Sequence, residues 1–257
     1  MPQSQTQAQS ATTTFPNIKQ MIFSAWDKKS NNRKRTGAVH VSDLSHCLRK
    51  SVFSRLDTSP PKPNEQSVKS LLVGSAVHLH IQSLLGSEEF EVERQILWRG
   101  PSGATVIAHP DLIHKPTGTV IEMKTSTSLS IFKSPYESHL RQLKTYCALL
   151  GASQGILFYI ILGKEGGADG EFFKEYHVRI SPPERSLILD KLDKDVLELQ
   201  RGFELGPASV RHIYNDIEYI NKFTKKNWLC DGGYCPYSKE CAVMREREKE
   251  SSKTRGN

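Results

Sequence analysis

The chain has 257 residues, 37% of them hydrophobic and 25% charged, enough for one sizeable core in a soluble globular protein. Its longest apolar run, Ile156 to Leu162, is too short to span a bilayer, and the opening residues lack the pattern of a secretion signal, so a cytoplasmic location is expected. The net charge of +7 favours a polyanionic partner through counterion release, although part of the surplus sits in "NNRKR" (31–35) and "REREKESSKTRGN" (245–257), which read as solvated charged segments.

Residues 1–15 are polar and expected to be disordered. After Pro16, Ile18, Met21, Ile22, Ala25 and Trp26 recur at helical spacing. "VSDLSHCLRKSVFSRL" (41–56) opens on a Ser-Asp cap and reads as one helix carrying Cys47. Three prolines make 57–65 a loop. A helix over 67–86 follows, ended by Gly86. Strands are predicted over 90–99, 104–114 and 117–126, the last two joined by a Lys-Pro-Thr-Gly turn. An amphipathic helix over 136–151 is closed by Gly151. Strands over 155–162 and 172–180 come next, then a helix over 182–200 opened by prolines. This order predicts an α/β fold, a mixed sheet flanked by helices in one domain.

Chemistry concentrates in the hairpin. Glu122 and Lys124 are two apart in a strand and leave the same face. Asp111 lies near the end of the preceding strand, across the turn, while Val120, Ile121 and Met123 anchor the pair of strands in the core. Two carboxylates held close repel unless a cation lies between them. Hard oxygen ligands suit Mg²⁺ or Mn²⁺, and Lys124 would then orient or deprotonate a bound water, or neutralise charge on a phosphate. The plain alternative is a surface hairpin with an Asp and a Glu–Lys pair. Gly74 stands four residues before His78 on the preceding helix, and Gln142 and Tyr146 share one face of the following helix at i and i+4. Each of these is commonplace alone, and a lone His on an apolar helix is more often a core residue than a ligand.

There are five cysteines: Cys47, Cys147, Cys230, Cys235 and Cys241. An odd count without a secretion signal argues against a disulfide framework. The crowding of Cys230, Cys235 and Cys241 points to zinc or an iron–sulfur cluster. A fourth ligand would be Cys47 or Cys147. Cys147, beside Tyr146, reads as a small packing residue, whereas Cys47 would clamp the two ends of the chain together.

Taken in order, Gly74-x-x-x-His78, Pro110-Asp111, Glu122-Met123-Lys124 and Gln142-x-x-x-Tyr146 resemble the motifs of RecB-like nucleases in the PD-(D/E)xK superfamily. The likeness spans roughly residues 70–150 and implies a restriction-endonuclease-like fold. It also implies that His78, Asp111, Glu122 and the Met123 carbonyl bind the metal, that Lys124 is the catalytic lysine, and that Gln142 and Tyr146 position the DNA strand and the reactive groups. One cysteine before the motifs and three after resembles the iron–sulfur branch of that family, which implies a [4Fe–4S] cluster on Cys47, Cys230, Cys235 and Cys241. Four residues separate Cys230 from Cys235 where the family usually has two; zinc is the alternative occupant. There is no Gly-rich phosphate loop and hence no helicase motor, so the chain looks most like the CRISPR-associated exonucleases of that branch.

The resulting division is a tail over 1–15, a helical segment with the first cysteine over 16–65, a nuclease core over 66–205, an iron–sulfur segment over 206–244 and a charged tail over 245–257. The resemblance implies a 5′→3′ exonuclease on single-stranded or splayed DNA in CRISPR adaptation, with integrase proteins as partners and no membrane. A stand-alone repair, recombination or mobile-element nuclease is one alternative. A non-catalytic DNA-binding module is another.

Overall fold

In chain order the elements are β1 (Val39–His40), α1 (Val41–Leu44), α2 (Leu48–Leu56), α3 (Glu65–Leu85), β2 (Phe90–Val92), β3 (Ile96–Arg99), β4 (Thr105–Ala108), β5 (Leu112–His114), β6 (Thr119–Ser126), α4 (Glu137–Leu150), β7 (Gln154–Ile161), β8 (Phe173–Arg179), α5 (Pro182–Leu205) and α6 (Ser238–Thr254). Short 3₁₀ turns lie at Leu129–Phe132 and Pro207–Ser209. The structure, a computed structural model, describes residues 38–56, 65–85, 88–163, 170–211, 230 and 235–254, together with positions 21 and 25. The expected tail over 1–15 and most of the helix expected around Ile18–Trp26 lie outside the described residues, as does Gly86.

Two sheets form. The larger runs β2-β5-β6-β7-β8, and the smaller β1-β4-β3. In the larger sheet β5 and β6 are an antiparallel hairpin, with Leu112 opposite Ile121 and His114 opposite Thr119. The next pair, β6 and β7, is parallel over seven residues, Val120–Ser126 against Gly155–Ile161. A parallel pair needs a crossover, and α4 supplies it. Leu143, Tyr146 and Cys147 on α4 are buried with Val120, Leu157 and Tyr159 of the sheet. The helix lies very close to β7: a Cβ at Gly155 would stand 2.7 Å from Cys147 Sγ and 2.9 Å from Leu143 Cδ1. Gly151 ends α4 in the left-handed region, at φ 70°. This mixed sheet, with its hairpin and helical crossover, is the α/β core flanked by helices expected from the sequence.

On the far side, α5 starts at a Ser181 cap with prolines in its first turn. It packs on α2, and a Cβ at Gly202 would meet Val52 Cγ2 at 2.5 Å and Val210 Cγ2 at 2.3 Å. Among the described residues no helix is long and apolar enough to cross a membrane.

Three elements differ from the expected ones. The helix expected over 41–56 is two, because the chain turns at Ser45, His46 and Cys47; the Ser45 hydroxyl donates to the Val41 carbonyl at 2.9 Å. The strand expected over 90–99 is divided at Glu93, whose φ is 45°, and its halves join different sheets. The strand expected over 104–114 is divided in the same way at His109-Pro110-Asp111. In addition, residues 245–254 of the expected charged tail continue helix α6.

Candidate active site

Hairpin register decides the site. Since Leu112 faces Ile121, Asp111 comes beside the Glu122–Met123 segment, and its Oδ2 accepts the Met123 N–H at 2.7 Å. The other oxygen, Oδ1, lies 3.3 Å from Nδ1 of His78 on α3. Helix α3 therefore brings a ligand-type side chain to the end of the hairpin. Four residues further along α3, Gln82 Nε2 approaches the Asp111 carbonyl at 3.5 Å and Glu93 Oε1 at 3.4 Å.

Glu122 is 2% exposed. Its Oε1 accepts from Lys124 Nζ at 2.5 Å, while Oε2 is buried with no hydrogen-bond partner among the described residues. Burial pushes its carboxyl up to about 7, and Asp111 adds to the rise, whereas Lys124 and His78 oppose it. A buried carboxylate oxygen without a donor is costly unless something cationic meets it. The donor set of Glu122, Asp111 and His78 fits a divalent ion of the Mg²⁺ or Mn²⁺ type. Among the described residues, no three His, Cys, Asp or Glu side chains already stand in the arrangement of a metal shell, so these three would draw together around an ion.

Gln142 and Tyr146 lie one turn apart on α4 and both face inwards, 8% and 4% exposed. Gln142 Nε2 donates to the Tyr146 hydroxyl at 2.9 Å, and that hydroxyl is also hydrogen-bonded to the His109 backbone. The pair thus grips the His109-Pro110-Asp111 turn from beneath. Burial, with Glu122 and Asp111 adding, raises the Tyr146 phenol well above its ordinary range.

Two histidines that sequence reading did not single out stand near Lys124. Burial pushes His139 down to about 3, helped by the charges of Lys124 and His46. His46 is pushed down to about 4 by burial, then by Lys50, Lys124 and Arg141. His139 Nδ1 is 2.9 Å from the Tyr159 hydroxyl. A single His carries no spacing pattern, so only the convergence of α4 and the α1–α2 turn reveals them.

The cysteines lie in two places. Cys47, Cys230, Cys235 and Cys241 line one cavity of about 220 Å³, along with Lys50 and Arg245. Cys147 is elsewhere, under Gly155, and burial pushes its thiol up to about 12. Cys230 is also pushed up to about 12, by burial and then by Cys47, Cys235 and Cys241. Arg49, on the helix after Cys47, hydrogen-bonds Cys241 and draws against its rise, and it donates to the Val210 carbonyl at 2.8 and 3.1 Å. Four thiols with guanidinium and ammonium groups beside them are soft-metal donors by type, but among the described residues no three of them already stand in the arrangement of a metal shell.

No family model and no curated protein matches this chain. Among solved structures, SSO0001 is similar over 87% of this chain and 95% of its own, at 22% identity and a TM-score of 0.54, and the two share a fold. An alkaline exonuclease from Laribacter hongkongensis, LHK-Exo, is similar over 72% of this chain and 95% of its own, at 16% identity and a TM-score of 0.44. A phage related exonuclease from Haemophilus somnus 129PT is similar over 65% and 94%, at 9% identity and a TM-score of 0.44.

Proposed function

We propose that this protein is a divalent-metal-dependent DNA exonuclease acting on single-stranded or splayed ends, and that its four clustered cysteines hold a [4Fe–4S] group in preference to zinc. The observation that carries the nuclease reading is the orphaned Glu122 oxygen beside Asp111, His78 and Lys124. Asp111, Glu122 and His78 would hold Mg²⁺ or Mn²⁺, and the family resemblance adds the Met123 carbonyl. Such an ion supplies Lewis acidity toward a phosphoryl oxygen and acidifies a water when bound.

The chain's own groups prepare the rest. The Met123 N–H fixes one Asp111 oxygen and leaves the other directed at His78. Gln142 and Tyr146 hold the turn that presents Asp111. Lys124 Nζ, tethered to Glu122, is within reach of a proton on an attacking water or of charge on a non-bridging phosphate oxygen. His46 and His139, held neutral, add no competing positive charge beside that lysine.

The resemblance of the four motifs and the cysteine frame supports 5′→3′ polarity and a cytoplasmic role in CRISPR adaptation, with integrase proteins as partners. A stand-alone repair or mobile-element nuclease would use the same residues. Recovery of integrase proteins with the tagged protein supports the first; their absence supports the second. The nuclease itself is tested by incubating anaerobically purified protein with end-labelled single-stranded DNA and Mg²⁺ or Mn²⁺, beside Lys124→Ala. Metal-dependent shortening by wild type alone is expected. Equal cleavage by Lys124→Ala, or none by metal-replete wild type, overturns the assignment. Iron and zinc content of the same preparation decides the cysteine occupant.

A further inference from the structure

Immediately beyond Lys124 the strand β6 runs into a cleft of about 580 Å³. Among its described lining residues, seven of eight carry hydroxyls and none is acidic. They include Thr125 through Ser128 in unbroken sequence, with Ser70 from α3 on the other side. Ser70 and His78 are eight residues apart on one helix face, so the cleft lies about 12 Å from the metal-type ligands.

The turn itself uses some of these hydroxyls. Ser126 Oγ accepts the Ser128 N–H at 3.0 Å, and Ser128 Oγ accepts the Ser130 N–H at 3.3 Å. Thr125 and Thr127 have no such employment: among the described residues their hydroxyls have no hydrogen-bond partner. A second feature adjoins the cleft. Leu162, an apolar residue of its lining, donates its N–H to the Ser126 carbonyl at 2.8 Å, and the neighbouring Ile161 N–H donates to the Phe172 carbonyl at 2.8 Å. Phe172 and Phe173 are 42% and 58% exposed, and Phe173 stacks on Phe158 with centroids 5.7 Å apart. Two strand spacings, about 10 Å, separate the hydroxyls from these rings.

We propose that this cleft and the Phe172–Phe173 edge form a binding track for unpaired nucleic acid, with phosphates against the Thr125 and Thr127 hydroxyls and bases on the phenylalanine rings. It rests on the nuclease reading for its purpose, since it extends from the strand that bears Glu122 and Lys124. Hydroxyls donate to phosphate oxygens without the strong hold of a lysine row, which suits a strand that must advance. Exposed aromatic rings accept any base, because every base has a π-face, but only when it is unpaired. The track therefore selects single strands over duplex.

The test measures binding of a fluorescein-labelled oligothymidylate, the same chain with abasic sites, and a blunt duplex, in Ca²⁺. Wild type is compared with Thr127→Val, Phe172→Ala and Phe173→Ala, whose altered side chains are exposed. Each phenylalanine variant is expected to bind oligothymidylate about tenfold more weakly and the abasic chain as wild type does. Thr127→Val is expected to weaken both single strands, and the duplex is expected to be unaffected by all three. Wild-type affinity for oligothymidylate in all variants, or an equal loss for the duplex, overturns the track. Cleavage of bis(p-nitrophenyl) phosphate, too small to reach the cleft, is followed in parallel with Mn²⁺. Wild type that binds oligothymidylate through these residues yet cleaves neither substrate overturns the nuclease reading and leaves the track standing.

Discussion

Gly74 on α3 and Thr125 on β6 are in contact: a Cβ at Gly74 would stand 3.1 Å from Thr125 Oγ1. This explains the glycine of the Gly-x-x-x-His pattern. It lets α3 lie close on the strand that carries Glu122 and Lys124, so that His78 one turn later reaches Asp111. Gly74→Ala asks the threonine to give by a few tenths of an ångström and should be mild. Gly74→Val adds bulk that the contact cannot absorb, at a cost of about 1–3 kcal/mol, and lifts His78 away from Asp111. The expected result is at least tenfold weaker Mn²⁺ binding by titration calorimetry for the valine variant and near-wild-type binding for alanine. Equal affinity in both variants would show that helix and strand do not transmit the bulk to His78.

Glu122→Gln separates metal binding from stability. In the metal-free chain the buried carboxylate is costly once ionised, and its pKa, raised from the ordinary 4.5 to about 7, states the sign. Between those values the folded chain holds the proton more tightly than the unfolded one, so this group's contribution falls as pH rises from 4.5 through 7. Above pH 7 the glutamine variant, which has no charge to bury, should be more stable than metal-free wild type by about 1–3 kcal/mol. It should also lose the increase in Tm that Mn²⁺ is expected to give wild type. Thermal unfolding at pH 8 with EDTA and with Mn²⁺ reads both; a variant that melts earlier than metal-free wild type contradicts the account.

The hairpin was legible in the sequence because the apolar Val120, Ile121 and Met123 follow a Lys-Pro-Thr-Gly turn, and the resulting register brings Asp111 beside the Glu122–Met123 segment. The order of helix, hairpin, helix and strand was legible for the same reason, through periodicity and punctuation at Gly151 and Pro182. What escaped was set by distant contacts. The turn that frees Cys47 from a helix is followed by Arg49, which bonds to Val210, 161 positions away, and no local pattern encodes such a bond. The assignment of β3 and β4 to a second sheet depends on β1 arriving beside β4. His46 and His139 acquire their character from burial and from Lys124, which comes from another strand. The Thr-Ser run after Lys124 looks like an ordinary turn until Ser70 closes it from α3.

Acid should destabilise the protein through His46 and His139. Both are depressed below the ordinary 6.5, to about 4 and about 3, so the unfolded chain binds protons that the folded chain refuses. Their contribution is complete above pH 6.5 and is lost as pH falls toward 3. Glu122 works in the opposite sense over pH 7 to 4.5, but one carboxyl is set against two imidazoles with larger or equal displacements. The metal-free Tm is therefore expected to drop by about 3–8 °C between pH 7 and pH 5. His139→Gln should flatten that slope and Glu122→Gln should steepen it. A slope unchanged by His139→Gln would mean that this imidazole takes its proton inside the fold.

The cysteine cavity makes a sharp distinction between two residues of the same type. Cys47 lines the cavity with Cys230, Cys235 and Cys241, whereas Cys147 packs between α4 and β7, its Sγ 2.7 Å from where a Gly155 Cβ would stand. With the proposed metal on the four cysteines, Cys47→Ser removes one thiolate and should release it, because a hydroxyl is a poor soft-metal ligand at neutral pH. It should also lower Tm by several degrees, since the group would tie the turn after α1 to helix α6. Cys147→Ala removes only a small buried side chain and should keep the full metal content at a cost of about 1 kcal/mol. Metal content by mass spectrometry, with visible absorption of the anaerobic protein, reads the comparison directly. Full iron or zinc in Cys47→Ser would mean that the occupant does not need the N-terminal thiolate, and that the cavity is closed by packing alone.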